Sequence, residues 1–264
     1  GAHQELAAKN ARLSFEEKRL AEQARKDVLD EVREKLGLPI TPNRIECFDM
    51  SIFQGDKGVG SMVVFEGGEP NKTRYRKYSM KQVEGQDDFA MMREVLMRRY
   101  KRAIEENDLP DLVLIDGGKG QLGVAVTAFK DLGIEDLPVI SIAKARAQEA
   151  GNKSLERFFT PGRSNPIILP QNSQTVLYLA RLRDEAHRFA ITYHRKRRSK
   201  STLTSVLTEV PGVGPKRARS LLNAFGSVAK IRESPVDRIA EVAGFTEDLA
   251  RAVKGYLAMT PENS

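Results

Sequence analysis

One short stretch constrains the fold of this chain more than any other: residues 110–121 read PDLVLIDGGKGQ. Its apolar run, residues 112–115, is bounded by a proline and a glycine pair, which is typical of a strand buried on both faces of a sheet. Asp116 lies where this predicted strand ends. Ligands and catalytic groups of open α/β sheets gather at the carboxyl ends of strands, so the stretch predicts an α/β fold with a candidate site at Asp116.

Two other interpretations of this stretch need to be weighed. Asp116 could instead cap a helix that begins near Lys119, and the residue type alone does not decide between the two roles. A phosphate-binding P-loop is disfavoured, because Gly118-Lys119 is followed by Gly120 where that loop has Ser or Thr. The sequence therefore leaves Asp116 as either a site residue or a helix cap.

Composition limits the classes of protein to which the chain can belong. Its 264 residues leave room for about two domains, and 40% hydrophobic content predicts a folded, soluble protein. No apolar stretch approaches the roughly 18 residues of a membrane span, so no membrane partner is expected. The single cysteine, Cys47, can form neither an internal disulfide nor a thiolate zinc site, and we expect a cytoplasmic location. The net charge of +7 and a pI of about 9.4 indicate a polyanionic partner.

Hydrophobic periodicity predicts a lead-in helix, three strands, a helix, the strand before Asp116, and then a helix, a strand, an irregular hairpin and a long helix. These predicted elements span residues 5–35, 45–49, 59–66, 73–80, 87–106, 112–115, 121–132, 138–142, 154–169 and 173–195. Strands mixed with helices in this order favour an α/β domain with a mixed sheet flanked by helices.

The polar and basic stretch 196–205, KRRSKSTLTS, is the best candidate for a linker. After it, helix, glycine turn and helix recur in two copies, which predicts a small all-α domain. The predicted organisation is a lead-in helix, an α/β domain, a linker and a helical domain, with boundaries at residues 1–40, 41–198, 199–205 and 206–264.

Asp49 lies in the first predicted strand, and Asp116 ends a later one. If the two strands are parallel neighbours, about 4.8 Å apart, both carboxylates reach one edge of the sheet. Two acids that close favour a cation between them, and carboxylate oxygens suit Mg²⁺ or Mn²⁺ in phosphoryl chemistry. The alternative, two unrelated surface acids, stays open at this point.

His187 lies in the motif RDEAHRFAI on the long helix of the first domain. Asp184 precedes it by one helical turn and could orient or charge its imidazole. A lone histidine on a helix is more often structural, so this motif alone is a weak signal.

The turn at residues 211–217, PGVGPKR, is a sharper signal. Two glycines at a helix end free backbone amides, the next helix begins with a partial positive charge, and mobile bases follow, a combination that grips phosphates of a nucleic-acid backbone. A plain helical connection would not need both glycines and bases. The candidate DNA-binding residues are Gly212, Gly214, Lys216 and Arg217, with Gly244 in the second copy and Arg195 and Arg197 in the basic run before the linker.

Five motifs together make the chain resemble the C-terminal half of UvrC, the incision subunit of bacterial nucleotide excision repair. They are ECFD at 46–49, GQDDFAMM at 85–92, LIDGGKGQ at 114–121, IAK at 142–144 and RDEAHRFAI at 183–191. The resemblance extends from about residue 5 to residue 257. Its last part resembles the tandem helix-hairpin-helix module that closes the same family.

The resemblance implies a ribonuclease H-like endonuclease domain with an Asp-Asp-His active site, which falls on Asp49, Asp116 and His187. These residues would hold Mg²⁺ or Mn²⁺, and His187 would be a third ligand or would move a proton. In the family this domain cuts damaged double-stranded DNA on the 5′ side of the lesion. The resemblance also implies a role in incision for Asp88, whose simpler role is to cap the helix that it opens, and a contact of Lys119 with the scissile phosphate.

One residue departs from the family pattern, since Ile52 stands where the family usually has His. The departure casts doubt on proton transfer at that position. The family's N-terminal nuclease and its segment for contact with UvrB are not seen in this sequence, so we expect no 3′ incision and weaker recruitment. The rival functions are a non-catalytic DNA-binding scaffold and a junction resolvase or transposase-like nuclease on the same fold.

Overall fold

The strand predicted before Asp116 lies near the centre of a mixed sheet. A computed structural model describes residues 2–52, 58–83, 87–145 and 155–260, without the side chains of residues 197–201. Within those residues the chain forms seven strands: β1 (Arg44–Ser51), β2 (Val59–Glu66), β3 (Glu69–Pro70), β4 (Arg76–Ser79), β5 (Leu112–Asp116), β6 (Val139–Lys144) and β7 (Glu156–Phe159). Their order is β3-β2-β1-β5-β6-β7, with β4 paired to β2. Strands β1, β5 and β6 are parallel neighbours, and the others pair antiparallel.

Helices cover both faces of this sheet. They are α1 (Ala2–Leu36), α2 (Asp88–Glu105), α3 (Lys119–Asp131) and α4 (Gln174–Thr208). Alternate residues of a strand point to opposite faces, so Cys47 packs in one core with residues of α1 and α4, while Phe48 packs in another with residues of α2 and α3. All four residues of the run 112–115 are fully buried, which confirms the predicted two-sided strand.

The predicted third strand is shorter than expected. Residues 73–80 divide into a 3₁₀ turn, Lys72–Arg74, and strand β4. Tyr75 follows the turn in extended conformation and returns the chain to the sheet beside β2.

The chain divides into two compact units, Gly1–Ile191 and Thr192–Ser264. The second unit contains α5 (Pro215–Phe225), α6 (Val228–Glu233), α7 (Val236–Ala240) and α8 (Glu247–Met259), packed around a core of its own. The expected mixed sheet flanked by helices, followed by a helical region, is thus confirmed. Of the helices in the described part of the chain, none is both long and apolar enough to cross a membrane.

The stretch 199–205, expected to be a linker, is helical and belongs to α4. Residues 196–205 contain no glycine or proline, and their lysines and arginines are good helix formers. Their polarity marks exposure to solvent, which a helix tolerates as well as a loop does. The predicted domain limits, 1–40, 41–198 and 206–264, stay predictions. Residues 199–205 form no loop between the two domains, because they are helical.

Candidate active site and nucleic-acid interface

Asp49 and Asp116 meet at the carboxyl edge of the sheet. Strands β1 and β5 pair in parallel, with Phe48 opposite Ile115, so the next residue of each strand is an aspartate. Both acids lie on the face that carries Cys47 and Leu114, which α4 covers. The Asp49 side chain is 6% exposed and that of Asp116 is 22% exposed. The predicted parallel pairing of the two acid-bearing strands is confirmed.

His187 joins the two acids from α4. Leu179, Leu182 and Ala186 are buried against the sheet, and this packing directs His187 to the carboxyl edge. Its Nδ1 atom lies 3.1 Å from Oδ1 of Asp49, and its Nε2 atom lies 3.0 Å from Oδ2 of Asp116. The imidazole therefore bridges two carboxylates, one on each ring nitrogen.

The charges of these three groups depend on one another. Burial raises the pKa of Asp49, the charge of Asp116 raises it further, and the hydrogen bond with His187 opposes both. Hydrogen bonds to Asp116 and then Asp49 raise the pKa of His187 to about 10, against the effect of burial. The two acids therefore favour the protonated imidazole, whose positive charge lies between them.

The three residues fit a divalent cation. One ligand atom from each of Asp49, Asp116 and His187 lies within 4.8 Å of the others. Two carboxylate oxygens and one imidazole nitrogen suit Mn²⁺, and the carboxylates also suit Mg²⁺. The positive charge of the bridging imidazolium takes the place of an ion between the acids, and the ring must lose a proton before one of its nitrogens can bind a metal. The candidate metal ligands from the sequence therefore come together in the fold.

Asp116 does not cap helix α3. The N-cap is Gly118, whose amide donates to Oε1 of Gln121 at 3.1 Å. Gly117 has a φ of +146°, and a Cβ there would lie 2.7 Å from Gln121, so only glycine fits this turn. The turn leaves the Asp116 carboxylate to the site. This excludes the alternative role that the sequence left open.

Lys119 is the first residue of α3 and is exposed. Its Nζ atom lies 3.5 Å from the carbonyl oxygen of Ser164, a weak contact. The side chain therefore has freedom to reach a ligand at the carboxyl edge of β5.

Asp88 does not belong to the three-residue cluster and does not cap its helix. The cap of α2 is Asp87, whose carboxylate accepts from the Ala90 amide at 3.0 Å. Asp88 is exposed at the first position of the helix. Gly85 and Gln86, which open the same motif, lie outside the described residues. The capping role expected for Asp88 is thus wrong, because the preceding acid has the extended backbone that a cap requires.

The position of Phe89 shows that the start of α2 lies beside the start of α3. A Cβ on Gly120 would be 2.9 Å from the Phe89 ring, so the first turn of α2 packs against the first turn of α3. Asp88, next to Phe89, is therefore near the loop that follows Asp116.

Two residues that the sequence did not single out fix α4 to the sheet. The buried guanidinium of Arg183 donates to both carboxylate oxygens of Glu156, on β7, at 2.5 and 2.8 Å. Arg183 also donates to Asp184, at 3.1 and 3.2 Å. Asp184 therefore binds its neighbour, and Asp49 and Asp116 orient His187 instead. The spacing of one turn between Arg183 and His187 is a signal that could have identified this anchor.

Lys144 is a further cation near this edge. Asp116 pairs with Ile142 on β6, and Lys144 follows on the same face two residues later. Its cross-strand partner is Glu156, whose carboxylate is already bound by Arg183. Among the described residues, Lys144 forms no salt bridge and is exposed, as the last residue of the IAK motif.

The second unit contains two matching turns, 32 residues apart. Val213 donates its amide to Val210, and Phe245 donates to Val242, at 3.0 Å in both turns. Gly212 and Gly244 hold equivalent positions with a φ of +88°. Gly214 caps α5, and Thr246 caps α8. The predicted second copy of the turn is present.

The basic side chains proposed around these turns differ in whether they are exposed or held by hydrogen bonds. Lys216 and Arg195 are exposed, whereas the side chain of Arg197 lies outside the described part of α4. Arg217 donates through Nη1 to the carbonyl of Gly212 at 2.7 Å and through Nε to that of Gly244 at 2.8 Å. The expectation that Arg217 is a mobile cation is wrong, because two turn carbonyls hold its guanidinium.

Comparisons with known proteins agree with this architecture. A family model described as the UvrC RNAse H endonuclease domain matches residues 33–191, and one described as a SAM-like helix-hairpin-helix tandem matches residues 204–254. The expected ribonuclease H-like fold class is confirmed.

The similar proteins include two bacterial relatives, each named UvrABC system protein C. The relative from Desulfotalea psychrophila is 46% identical over 250 residues, and that from Geobacter metallireducens is 47% identical over 253 residues. Each match covers 94% of this chain but only 40% and 41% of the respective relative. The chain thus spans about two fifths of the length of these relatives.

A solved structure of endonuclease V from Ciona intestinalis, bound to DNA that contains inosine, aligns with a TM-score of 0.38 and 14% identity. The alignment covers 68% of this chain and 99% of that one. A likeness at this score is too weak to assign a fold or a function.

Proposed function

This chain belongs to the UvrC family, and we propose that its first unit is a divalent-metal-dependent DNA endonuclease whose second unit holds the DNA. The reaction is hydrolysis of a phosphodiester bond on the 5′ side of a lesion, in nucleotide excision repair. The observation that carries this proposal is the cluster of Asp49, Asp116 and His187 at the carboxyl edge of the sheet. Two carboxylate oxygens and an imidazole nitrogen would hold Mg²⁺ or Mn²⁺ there.

The bound ion would lower the pKa of a water molecule and neutralise charge that develops on the phosphate. Asp49 is buried, so it closes the inner side of the cluster, whereas the His187 side chain is 47% exposed to solvent, from which DNA would approach. His187 would be either a third ligand, through one neutral ring nitrogen, or a general acid that passes a proton from Nε2 or Nδ1 to the leaving oxygen while the two aspartates hold the ion.

Three residues would assist from the rim of this site. Lys119 follows β5, which ends at Asp116, and Lys144 is the last residue of the neighbouring strand β6; their ammonium groups would contact oxygens of the scissile phosphate. Asp88 would act as an outer acid, since the first turn of α2 packs beside the first turn of α3. Because Asp88 is not part of the three-residue cluster, it is a secondary candidate as a ligand.

The second unit would bind the DNA backbone without reading its sequence. The residues proposed for this interface are Gly212, Gly214, Lys216, Arg217, Gly244, Arg195 and Arg197. Each contact with a phosphate releases a counterion, so the affinity for a duplex should fall linearly with salt on logarithmic axes.

UvrB is the protein partner that the family implies, and it would deliver damaged DNA to this chain. A cytoplasmic location suits a protein that acts on DNA and whose only cysteine, Cys47, is a buried free thiol.

Nicking of a supercoiled plasmid in the presence of Mn²⁺ tests the proposal. Asp49→Asn and Asp116→Asn should each lower the rate by at least about 100-fold, because each removes a charged oxygen ligand. Asp131→Asn, which changes an exposed acid on α3, should nick at the parent rate. Equal nicking by the parent, Asp49→Asn and Asp116→Asn would refute the metal site.

Metal binding has a second readout that does not depend on catalysis. Free Mn²⁺ at 100 times its dissociation constant should stabilise the parent by about 2.7 kcal/mol, which raises the Tm of the first unit by roughly 5–10 °C. Asp49→Asn and Asp116→Asn should lose most of this shift, and Asp131→Asn should keep it. An equal shift in all four proteins would place the metal elsewhere.

The rival functions make different predictions in the same assays. A non-catalytic scaffold binds DNA but nicks no substrate with either Mg²⁺ or Mn²⁺. A junction resolvase or transposase-like nuclease cleaves four-way or end substrates faster than bubble or lesion duplexes. Preference for the lesion duplex, with the cut on its 5′ side, supports the repair function.

A further inference from the structure

In the second unit, the helix that follows each glycine turn places a side chain against the other turn. Arg217 lies five residues after Gly212, and Leu249 lies five residues after Gly244, so the two side chains hold equivalent positions in the repeat. Arg217 contacts the turn of Gly244, with its Nε atom 3.5 Å from the position of a Cβ on that glycine. Leu249 contacts the turn of Gly212, where its Cδ1 atom lies 3.2 Å from the corresponding Cβ position. Each helix therefore packs a side chain against the other turn.

The two crossing contacts differ in chemistry. Leu249 supplies only apolar packing, whereas Arg217 makes a hydrogen bond to each turn: Nε to the carbonyl of Gly244 and Nη1 to that of Gly212. A guanidinium is a rigid fork whose N–H groups have fixed directions. Bonds from two nitrogens of one rigid plane therefore fix the distance between the turns more closely than a single ammonium nitrogen on a flexible chain would.

The helices that follow the turns also differ. Helix α5 begins at Pro215, its N-cap residue Gly214 provides no side-chain hydrogen bond, and Lys216 lies in the first turn. At α8, the Thr246 hydroxyl accepts from the amide of Leu249 at 3.2 Å, and Glu247 and Asp248 lie in the first turn. Glu247 forms an ion pair with Arg251, but Asp248 adds a negative charge that opposes the approach of a phosphate to the second turn, whereas Lys216 lies in the first turn of α5.

We infer that Arg217, although it lies at the interface, is a positioning residue that holds the two turns together, and that of the two turns only the first, with Lys216, contacts a phosphate. The second turn then stabilises the conformation of the first turn through the contacts of Arg217 and Leu249. This inference rests on the proposed binding of DNA by the second unit, and it assigns unlike tasks to the two copies of the repeat.

The test measures binding of the whole chain to a fluorescein-labelled duplex between 50 and 200 mM KCl. Arg217→Lys keeps the charge but not the fork, so its affinity should fall about 10-fold at every salt concentration with an unchanged salt slope. Lys216→Ala removes one phosphate contact and should lower the slope by about 0.9. Lys216→Arg, which keeps a cation at that position, should restore the parent slope.

Other results would overturn the inference in distinguishable ways. If Arg217→Lys binds like the parent while Arg217→Ala loses about 0.9 of slope, Arg217 is a phosphate contact. If Arg217→Lys loses several units of slope, the unit has lost its fold, and the role of Arg217 is general rather than positional. If the parent shows no salt-dependent binding, the DNA-binding function itself fails, whatever the variants do.

Discussion

Asp108 accepts hydrogen bonds from three arginines that come from separate parts of the first unit. The distances are 2.7 Å from Arg44, 3.2 Å from Arg74 and 3.2 Å from Arg99. Burial opposes ionisation of Asp108, but the hydrogen bonds from Arg44 and Arg99 and the charge of Arg74 outweigh burial and lower its pKa to about 2. A carboxylate held this way stabilises the fold only while it is ionised.

Asp108→Asn should therefore cost about 2 kcal/mol of unfolding free energy at pH 7. The folded-state pKa is below the unfolded value of 3.8, so the stabilisation is complete above that pH and is lost as the pH falls through about 2. Urea unfolding at a series of pH values from 7 down to 2.5 should show the difference from the parent shrinking. Asp136→Asn, at an exposed acid, is the control, and a difference for Asp108→Asn that does not change with pH would contradict this account.

Helix α1 has two unlike parts. Leu29, Val32 and Leu36 are buried in the first core. By contrast, Leu20 is 65% exposed, and several apolar residues before it are also exposed to solvent. The first turns of α1 therefore make little contribution to the packing of the first unit.

Leu29→Ala should destabilise the first unit by about 2–4 kcal/mol, because it leaves a cavity between α1 and the sheet. Leu20→Ala, the same change on the exposed part of the same helix, should stay within about 0.5 kcal/mol of the parent. Denaturant midpoints with unchanged m-values would measure both effects. Equal losses would mean that the start of α1 packs against the protein.

Elements were predictable from the sequence where local patterns dominate. The run at 112–115 identified β5. Asp49 and Asp116 were expected to meet because each lies near the carboxyl end of its strand, and those ends share one edge of a parallel sheet. Residues 199–205 were expected to be a linker because they are polar, and their lack of glycine and proline accounts for the helix that they form. The partner of Arg183, Glu156, was not predictable, since the register of β7 beside α4 depends on packing between distant residues.

At the scale of the whole molecule, the glycines of the first turn allow binding and catalysis to be separated. Gly212 has a φ of +88° and lies 3.2 Å from Leu249 at its Cβ position, so Val there is strained in two ways. Gly214 has an ordinary φ of −81°, and a Cβ on it would meet nothing within 4 Å.

Gly212→Val should lower duplex affinity by at least about 10-fold, because the turn must change shape. Gly214→Ala should cost no more than a few-fold, through the weaker N-cap. Both variants should keep the full Mn²⁺-dependent rise in the Tm of the first unit. Loss of that rise in Gly212→Val would show that the two units do not act independently.

Strand β1 buries an acid on each face of the sheet, and a helix supplies the opposite charge to each. Glu46 receives the guanidinium of Arg99, from α2, at 2.6 and 3.1 Å, and Asp49 receives the imidazole of His187, from α4. Arginine never gives up its proton in a protein, so the Glu46 pair is permanent. Histidine can lose its proton, so the positive charge beside Asp49 can be replaced. The same strand thus holds one acid with a permanent positive partner that stabilises the fold and a second acid whose positive partner can change.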